Sequence, residues 1–162
     1  MLSAGIIGLG TIGNVVAKAL DEGINGMSLV AIASGRRDKA LASIAGLSSP
    51  VELMSIDEVA ACCDVIVDCA PKSVFRDIAV AAFSRGRILV TVSGAGILAN
   101  EDIEDMAREN GGQLVLATKS QLLTFFRYEI YNSPFISFTN LSPFLEEILP
   151  FSIFVSISLI SC

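Results

Sequence analysis

Six residues near the amino terminus, Gly8-Leu9-Gly10-Thr11-Ile12-Gly13, constrain this chain more than any other stretch of it. They stand between a short apolar run, residues 4–9, and a segment in which Ile12, Val15, Val16, Ala19 and Leu20 recur at the spacing of one helical face. Asn14, Lys18, Asp21 and Glu22 take the other face, and Gly23 supplies a C-terminal cap. A G-x-G-x-x-G alone arises by chance, but between a buried strand and an amphipathic helix each glycine has a task. Gly8 permits the sharp exit from the strand. Gly10, with no Cβ, lets a pyrophosphate approach the backbone, and Gly13 lets helix and sheet pack closely. The free amides around Gly10, Thr11 and Ile12, at the positive end of the helix dipole, then hold phosphate charge without a lysine. This context predicts a dinucleotide site.

The same alternation continues along the chain. Leu29–Ala33 reads as a buried strand, followed by a weak helix with Leu41, Ile44 and Ala45 on one side. An extended piece at Val51–Met54 precedes Ser55-Ile56-Asp57-Glu58, a capping box that starts a helix. Asp64–Ala70 is a further apolar run; Pro71 suits the first turn of a helix facing inward with Val74, Ile78, Ala81 and Ala82. Ile88–Val92 is a strand, Asn100-Glu101-Asp102 opens an acidic first helical turn, and Leu114–Ala117 is the sixth strand. Strands without polar alternation need helices on both faces. The prediction is therefore an α/β, doubly wound parallel sheet of six strands in the order 3-2-1-4-5-6, the arrangement of a Rossmann fold.

This pattern ends near residue 119. All 13 glycines and every alanine precede residue 121, whereas seven of the 9 phenylalanines and both tyrosines follow it. Residues 1–119 are expected to form the dinucleotide-binding domain. Residues 120–162 read as an irregular Phe/Ser-rich tail that did not evolve with the preceding fold, as a truncation or frameshift would leave. The apolar stretch Ile148–Cys162 is short of the roughly 20 residues that span a bilayer, so membrane insertion is not expected. With 17 acidic against 11 basic residues and no basic run, nucleic acid is an unfavoured partner. The chain has no histidine, which excludes imidazole acid–base chemistry. Cys62, Cys63, Cys69 and Cys162 form no CxxC pair and read as reduced, buried thiols. With no basic leader ahead of the first strand, a cytoplasmic protein is expected.

An acidic residue about 20 positions past the glycine motif would hold the adenosine ribose and repel a 2′-phosphate. Here Ser34-Gly35-Arg36-Arg37 stands in its place, and a hydroxyl with two guanidinium groups suits a 2′-phosphate; NADP is preferred over NAD. Ligands of such sheets lie at the carboxyl ends of the strands. Ala70 and Pro71 after the fourth strand, and Ser93, Gly94 and Ala95 after the fifth, are small enough to admit a nicotinamide and its ribose.

The run Gly5-Ile6-Ile7-Gly8-Leu9-Gly10-Thr11-Ile12-Gly13, the segment Asp64-Val65-Ile66-Val67-Asp68-Cys69-Ala70, and Thr91-Val92-Ser93-Gly94-Ala95 leading into Leu98-Ala99-Asn100-Glu101-Asp102 resemble the NAD(P)-binding domain of L-aspartate dehydrogenases, relatives of homoserine dehydrogenases. The resemblance covers residues 1 to about 119. It implies a two-domain homodimer that passes hydride from the aspartate Cα to nicotinamide, giving iminoaspartate and then oxaloacetate and ammonia. It places Gly10, Thr11 and Ile12 on the phosphates and Ala95 at the nicotinamide end. The family's catalytic histidine and substrate-binding residues lie in a second domain beginning near residue 120, where this chain departs from the pattern. The 162-residue chain is accordingly expected to bind a dinucleotide without turning over aspartate, and neither the substrate nor the homodimer carries over to it. Two alternatives stay open: a non-enzymatic dinucleotide-binding module with a docking tail, and the cofactor domain of a homoserine dehydrogenase or dihydrodipicolinate reductase-like enzyme.

Overall fold

Strand and helix alternate through residues 1–23 and 26–117, which are the residues that the computed structural model describes. The elements are β1 (Leu2–Ile7), α1 (Thr11–Gly23), β2 (Met27–Ala33), α2 (Arg37–Ile44), β3 (Glu52–Leu53), α3 (Ile56–Cys62), β4 (Val65–Asp68), α4 (Phe75–Phe83), β5 (Ile88–Thr91), α5 (Gly94–Leu98), α6 (Ile103–Glu109) and β6 (Gln113–Leu116). The expectations for residues 120–162, Cys162 among them, lie outside the described residues.

The six strands form one sheet in the order β3-β2-β1-β4-β5-β6, and every neighbouring pair is parallel, as the sequence predicts. Successive residues of a strand point to opposite faces, so helices on both sides bury alternate positions of β1 and β4. On one face Ala4, Ile6, Leu29, Val65 and Val67 share a core with Val16, Ala17 and Leu20 of α1. On the other, Ile7, Ala31, Ala33, Ile66 and Leu89 pack with Val59, Phe75, Ile78, Phe83 and Ile103. Phe75 and Phe83 are wholly buried. Each contributes about 1.5–3 kcal/mol of transfer free energy.

Several local expectations need correction. Val15 is 46% and Leu41 50% exposed, because the covered stripe of each helix is narrower than its apolar periodicity; α2 buries only Ala40, and its Ala45 is exposed. Pro71 lies ahead of a single 3₁₀ turn, Lys72–Val74, and α4 starts only at Phe75. Asn100 and Glu101 lie in a turn, Asp102 flanks α6 without a side-chain cap, and the helix starts at Ile103. Cys62 is exposed rather than buried, while Cys63 is buried and Cys69 half-buried.

The capping box is present: Glu58 N–H donates to Ser55 Oγ at 3.3 Å, and Ser55 N–H donates to Glu58 Oε2 at 2.8 Å. Two further carboxylates tie distant segments. Asp21 accepts the amides of Ser48 and Ser49 at 2.8 and 2.7 Å. Asp64 Oδ2 accepts the Ser3 amide at 2.9 Å and its hydroxyl at 2.7 Å, joining the start of β1 to the residue just before β4. These backbone amides, from Ser48, Ser55 and Ser3 respectively, hold the carboxyls of Asp21, Glu58 and Asp64 below their ordinary range. A depressed folded-state pKa stabilises above the unfolded value of about 4, and the contribution is lost as pH falls through the folded value. The urea midpoint is therefore expected to fall on acidification below about pH 4. Asp64→Asn should lower it at neutral pH and flatten the acid limb; an acid limb as steep as that of the unsubstituted protein would contradict this role for Asp64.

Candidate functional site

The chain reverses its progress across the sheet between β1 and β4, and the residues singled out in the sequence gather at the carboxyl ends of the strands on either side of that point. Gly8 N–H donates to the Ala33 carbonyl at the end of β2, and Cys69 N–H donates to the Ile7 carbonyl, each at 2.8 Å. Three strand ends are thereby fixed to one another.

The three motif glycines meet three different surroundings. Gly8 has φ +99°, and a Cβ on it would lie 2.7 Å from Ala70 N and from the Cys69 carbonyl, so the turn after β1 runs directly against the turn after β4. A Cβ on Gly13 would fall on the Gly8 carbonyl oxygen, so the first turn of α1 rests on the end of β1 with no room for a side chain. A Cβ on Gly10 would meet nothing within 4 Å. The open side of the loop is therefore at Gly10, beside the first amides of α1, which have no partners within the helix. No carboxylate stands in that first turn.

Asn14, read from the sequence only as a polar surface position, braces this loop. Its Nδ2 donates to the Gly10 carbonyl at 2.9 Å, and its backbone N–H donates to the same oxygen at 3.0 Å. That carbonyl is thereby taken up within the first turn of α1. The available signal was position: an Asn near a helix start can reach back to the carbonyl four residues earlier.

Beyond β2, the half-buried Ser34 accepts the Arg36 amide on its hydroxyl at 3.3 Å, and exposed Arg36 and Arg37 open α2. Among the described residues neither guanidinium has an ion-pair partner.

On the β4 side, sequence reasoning missed the residue that organises the turns. Asp68 is 1% exposed. Its Oδ1 accepts the Ala70 amide at 3.0 Å and its Oδ2 accepts the Thr91 hydroxyl at 2.7 Å, while Thr91 Oγ1 accepts the Ser93 amide at 3.0 Å. One carboxylate thus links the turns carrying Ala70-Pro71 and Ser93. Burial pushes its pKa up, against the opposing effect of the Thr91 and Ala70 hydrogen bonds. Burial likewise pushes the Cys69 thiol up to about 12, which leaves it protonated at neutral pH.

The segment after β5, read from the sequence only as small residues at a strand end, is a helix. α5 (Gly94–Leu98) starts directly past Ser93, whose carbonyl accepts the Gly96 and Ile97 amides at 2.9 and 3.1 Å. Gly96 packs so closely on Phe75 that a Cβ would lie 2.7 Å from its ring. Asn100 Nδ2 donates to the Gly96 carbonyl at 2.8 Å, and Arg76 donates to Asn100 Oδ1 at 3.1 Å and twice to Asp102 at 2.8 Å. Ala95 is exposed on this helix and Gly94 half-buried.

Two cavities flank the sheet, and the first reaches the glycine loop at Leu9 and the end of β2 at Ile32. One of about 360 Å³ lies between α1 and α2, lined by Asn14, Ala17, Lys18, Ser43 and Leu47, and one of about 470 Å³ lies beside β3, lined by Pro50, Val51, Glu52 and Met54. Neither contains a predicted site residue. Among the described residues no group of three or more His, Cys, Asp or Glu side chains is placed to hold a metal ion, and no helix is long and apolar enough to cross a membrane.

Residues 8–117 match the family model described as homoserine dehydrogenase, NAD binding domain. Over 117 residues the chain is 41% identical to an L-aspartate dehydrogenase of Bradyrhizobium diazoefficiens, a match covering 72% of this chain and 41% of that relative. It is 33% identical over 114 residues to an L-aspartate dehydrogenase of Methanocella arvoryzae, covering 68% and 42% respectively. The match therefore spans about two fifths of the length of these curated relatives. Among solved structures the fold resembles apo scyllo-inositol dehydrogenase from Lactobacillus casei, with TM-score 0.63, 18% identity, and 72% and 36% of the two chains covered. It also resembles an NAD binding oxidoreductase from Klebsiella pneumoniae, with TM-score 0.62, 20% identity, and 72% and 34% covered.

The glycine surroundings separate two substitutions by their effect on stability. Gly13→Ala forces α1 off β1 and should cost about 1–3 kcal/mol in chemical denaturation. Gly10→Ala, entering open space, should stay within about 0.5 kcal/mol of the unsubstituted protein. Equal effects from the two would refute the packing described.

Proposed function

The chain belongs to the homoserine dehydrogenase NAD-binding-domain family, and from this we propose that residues 1–119 form the cofactor domain of an L-aspartate dehydrogenase. The reaction proposed for the whole enzyme is L-aspartate with NAD(P)⁺ giving iminoaspartate, which hydrolyses to oxaloacetate and ammonia, and NAD(P)H. The observation that carries the reading is the open space at Gly10 beside partnerless amides, on a loop whose other glycines are locked by contact.

Gly8 and Gly13 shape the cradle, and the backbone at Gly10, Thr11 and Ile12 takes the pyrophosphate at the helix start. Ser34, Arg36 and Arg37 take the adenosine ribose, and their two free guanidiniums favour the 2′-phosphate of NADP over the bare hydroxyl of NAD. Ala70, Pro71, Ser93, Gly94 and Ala95 border the nicotinamide half. A bound nicotinamide supplies the hydride acceptor that no side chain offers; the protein orients it.

The boundary near residue 119 is part of the same reading and rests on the compositional break there. Substrate handling is assigned to the sequence that the relatives carry beyond the matched region. The cytoplasm is the proposed compartment, where the coenzyme is available.

Isothermal titration tests these assignments. NADP⁺ should bind with one site per chain and more tightly than NAD⁺, and Arg36→Ala with Arg37→Ala should erase the difference. Gly10→Val should weaken both at least about tenfold by filling the space that a phosphate needs. Tighter binding of NAD⁺ would refute the NADP preference; no binding of either would refute the cofactor reading. Assayed alone, the 162-residue chain should form no NAD(P)H from L-aspartate, and measurable turnover would contradict that part.

A further inference from the structure

We propose that Asp68 is a positioning residue for the dinucleotide: its buried carboxylate fixes the two turns that border the nicotinamide half and favours the oxidised, cationic ring over the reduced, neutral one. The inference rests on the cofactor reading above. With Ser34, Arg36 and Arg37 on the β2 side of the glycine loop, the adenosine half lies there. The other half must then cross the switch point to the ends of β4 and β5, where Asp68 and Thr91 stand side by side in register.

The geometry shows both what Asp68 holds and what it lacks. The Thr91 hydroxyl donates to Asp68 Oδ2 and accepts from Ser93 N–H, while Oδ1 receives the Ala70 amide. Both carboxylate oxygens act as acceptors, and these two hydrogen bonds favour the ionised form against the burial that raises its pKa. All its donors are neutral, and among the described residues no Lys or Arg pairs with it. A buried carboxylate without a countercharge is costly to desolvate, and an isosteric amide would link the same turns at less cost. A cation arriving over the strand ends gains from that charge in a low-dielectric setting, and a neutral ring does not.

Two substitutions separate charge from shape. Asp68→Asn keeps the outline and an acceptor for the Ala70 amide but removes the charge. Thr91→Val keeps the charge but breaks the link to Ser93. Binding of oxidised coenzyme is followed by calorimetry and of reduced coenzyme by its fluorescence, on the full chain, with circular dichroism to check folding. Asp68→Asn should weaken the oxidised form about tenfold and the reduced form less than about threefold. Thr91→Val should weaken both about fivefold, the equivalent of one hydrogen bond, and Thr91→Ser should restore both. An unchanged oxidised-to-reduced affinity ratio in Asp68→Asn would overturn the electrostatic part. Unaltered affinities in Thr91→Val, or no recovery in Thr91→Ser, would overturn the positioning part. If Asp68→Asn does not fold, the Thr91 pair still decides positioning, and Asp68→Glu, which keeps the charge, must then preserve the wild-type preference for the oxidised form or the electrostatic part falls. Failure of the unsubstituted chain to bind either form refutes the cofactor reading itself, and this proposal with it.

Discussion

The first turn of α1 rests on the Gly8 carbonyl, the first of the glycine turn after β1, and the contact between Gly13 and Gly8 leaves no space for a single methyl group. That approach fixes how the helix leaves the sheet, and its first amides, without helical partners, stand at the strand ends. Gly8 meets a second limit from the other side, where its turn runs against Cys69 and Ala70. Asn14 then holds the Gly10 carbonyl with its side-chain amide as well as its backbone N–H. The result is a concentration of positive partial charge built from backbone alone, next to the one motif glycine at which a Cβ would meet nothing.

The other half of the edge is organised by side chains. Asp68 and Thr91 are the only buried polar side chains in the described core, and both face one another at the ends of adjacent strands. Hydrophobic burial on both faces of the sheet holds β4 and β5 in place, and these two residues convert that rigidity into fixed turns. Helix α5 extends the arrangement: two of its five residues are glycine, so its stability comes from Ser93, Phe75 and Asn100 rather than from intrinsic propensity.

How much of this was legible follows from where information is local. The β1–α1 unit, the capping box at Ser55 and the strand order could be read because periodicity, cap chemistry and crossover handedness are encoded over short spans. The covered width of a helix is a tertiary property, which is why Val15 and Leu41 were placed inside and lie outside. A five-residue helix rich in glycine has no periodic signature, so the sequence offers only small residues where α5 forms. Asp68 ended an apolar run and gave no sign of its burial or of its partner 23 residues away. Asn14 was hidden by the same polar-face logic that located α1 correctly. The glycine loop was visible as a motif; the side chains that brace it were not.

The account turns on the partnerless amides at the start of α1, and a residue-resolved titration examines them directly. With the ¹⁵N-labelled chain and added NADP⁺, the account predicts that the amide resonances of Gly10, Thr11 and Ile12 shift most, with smaller changes at Ser34, Ala70 and Ser93. Shifts centred instead on the cavity between α1 and α2, at Ala17, Ser43 and Leu47, with the glycine loop unmoved, would contradict it.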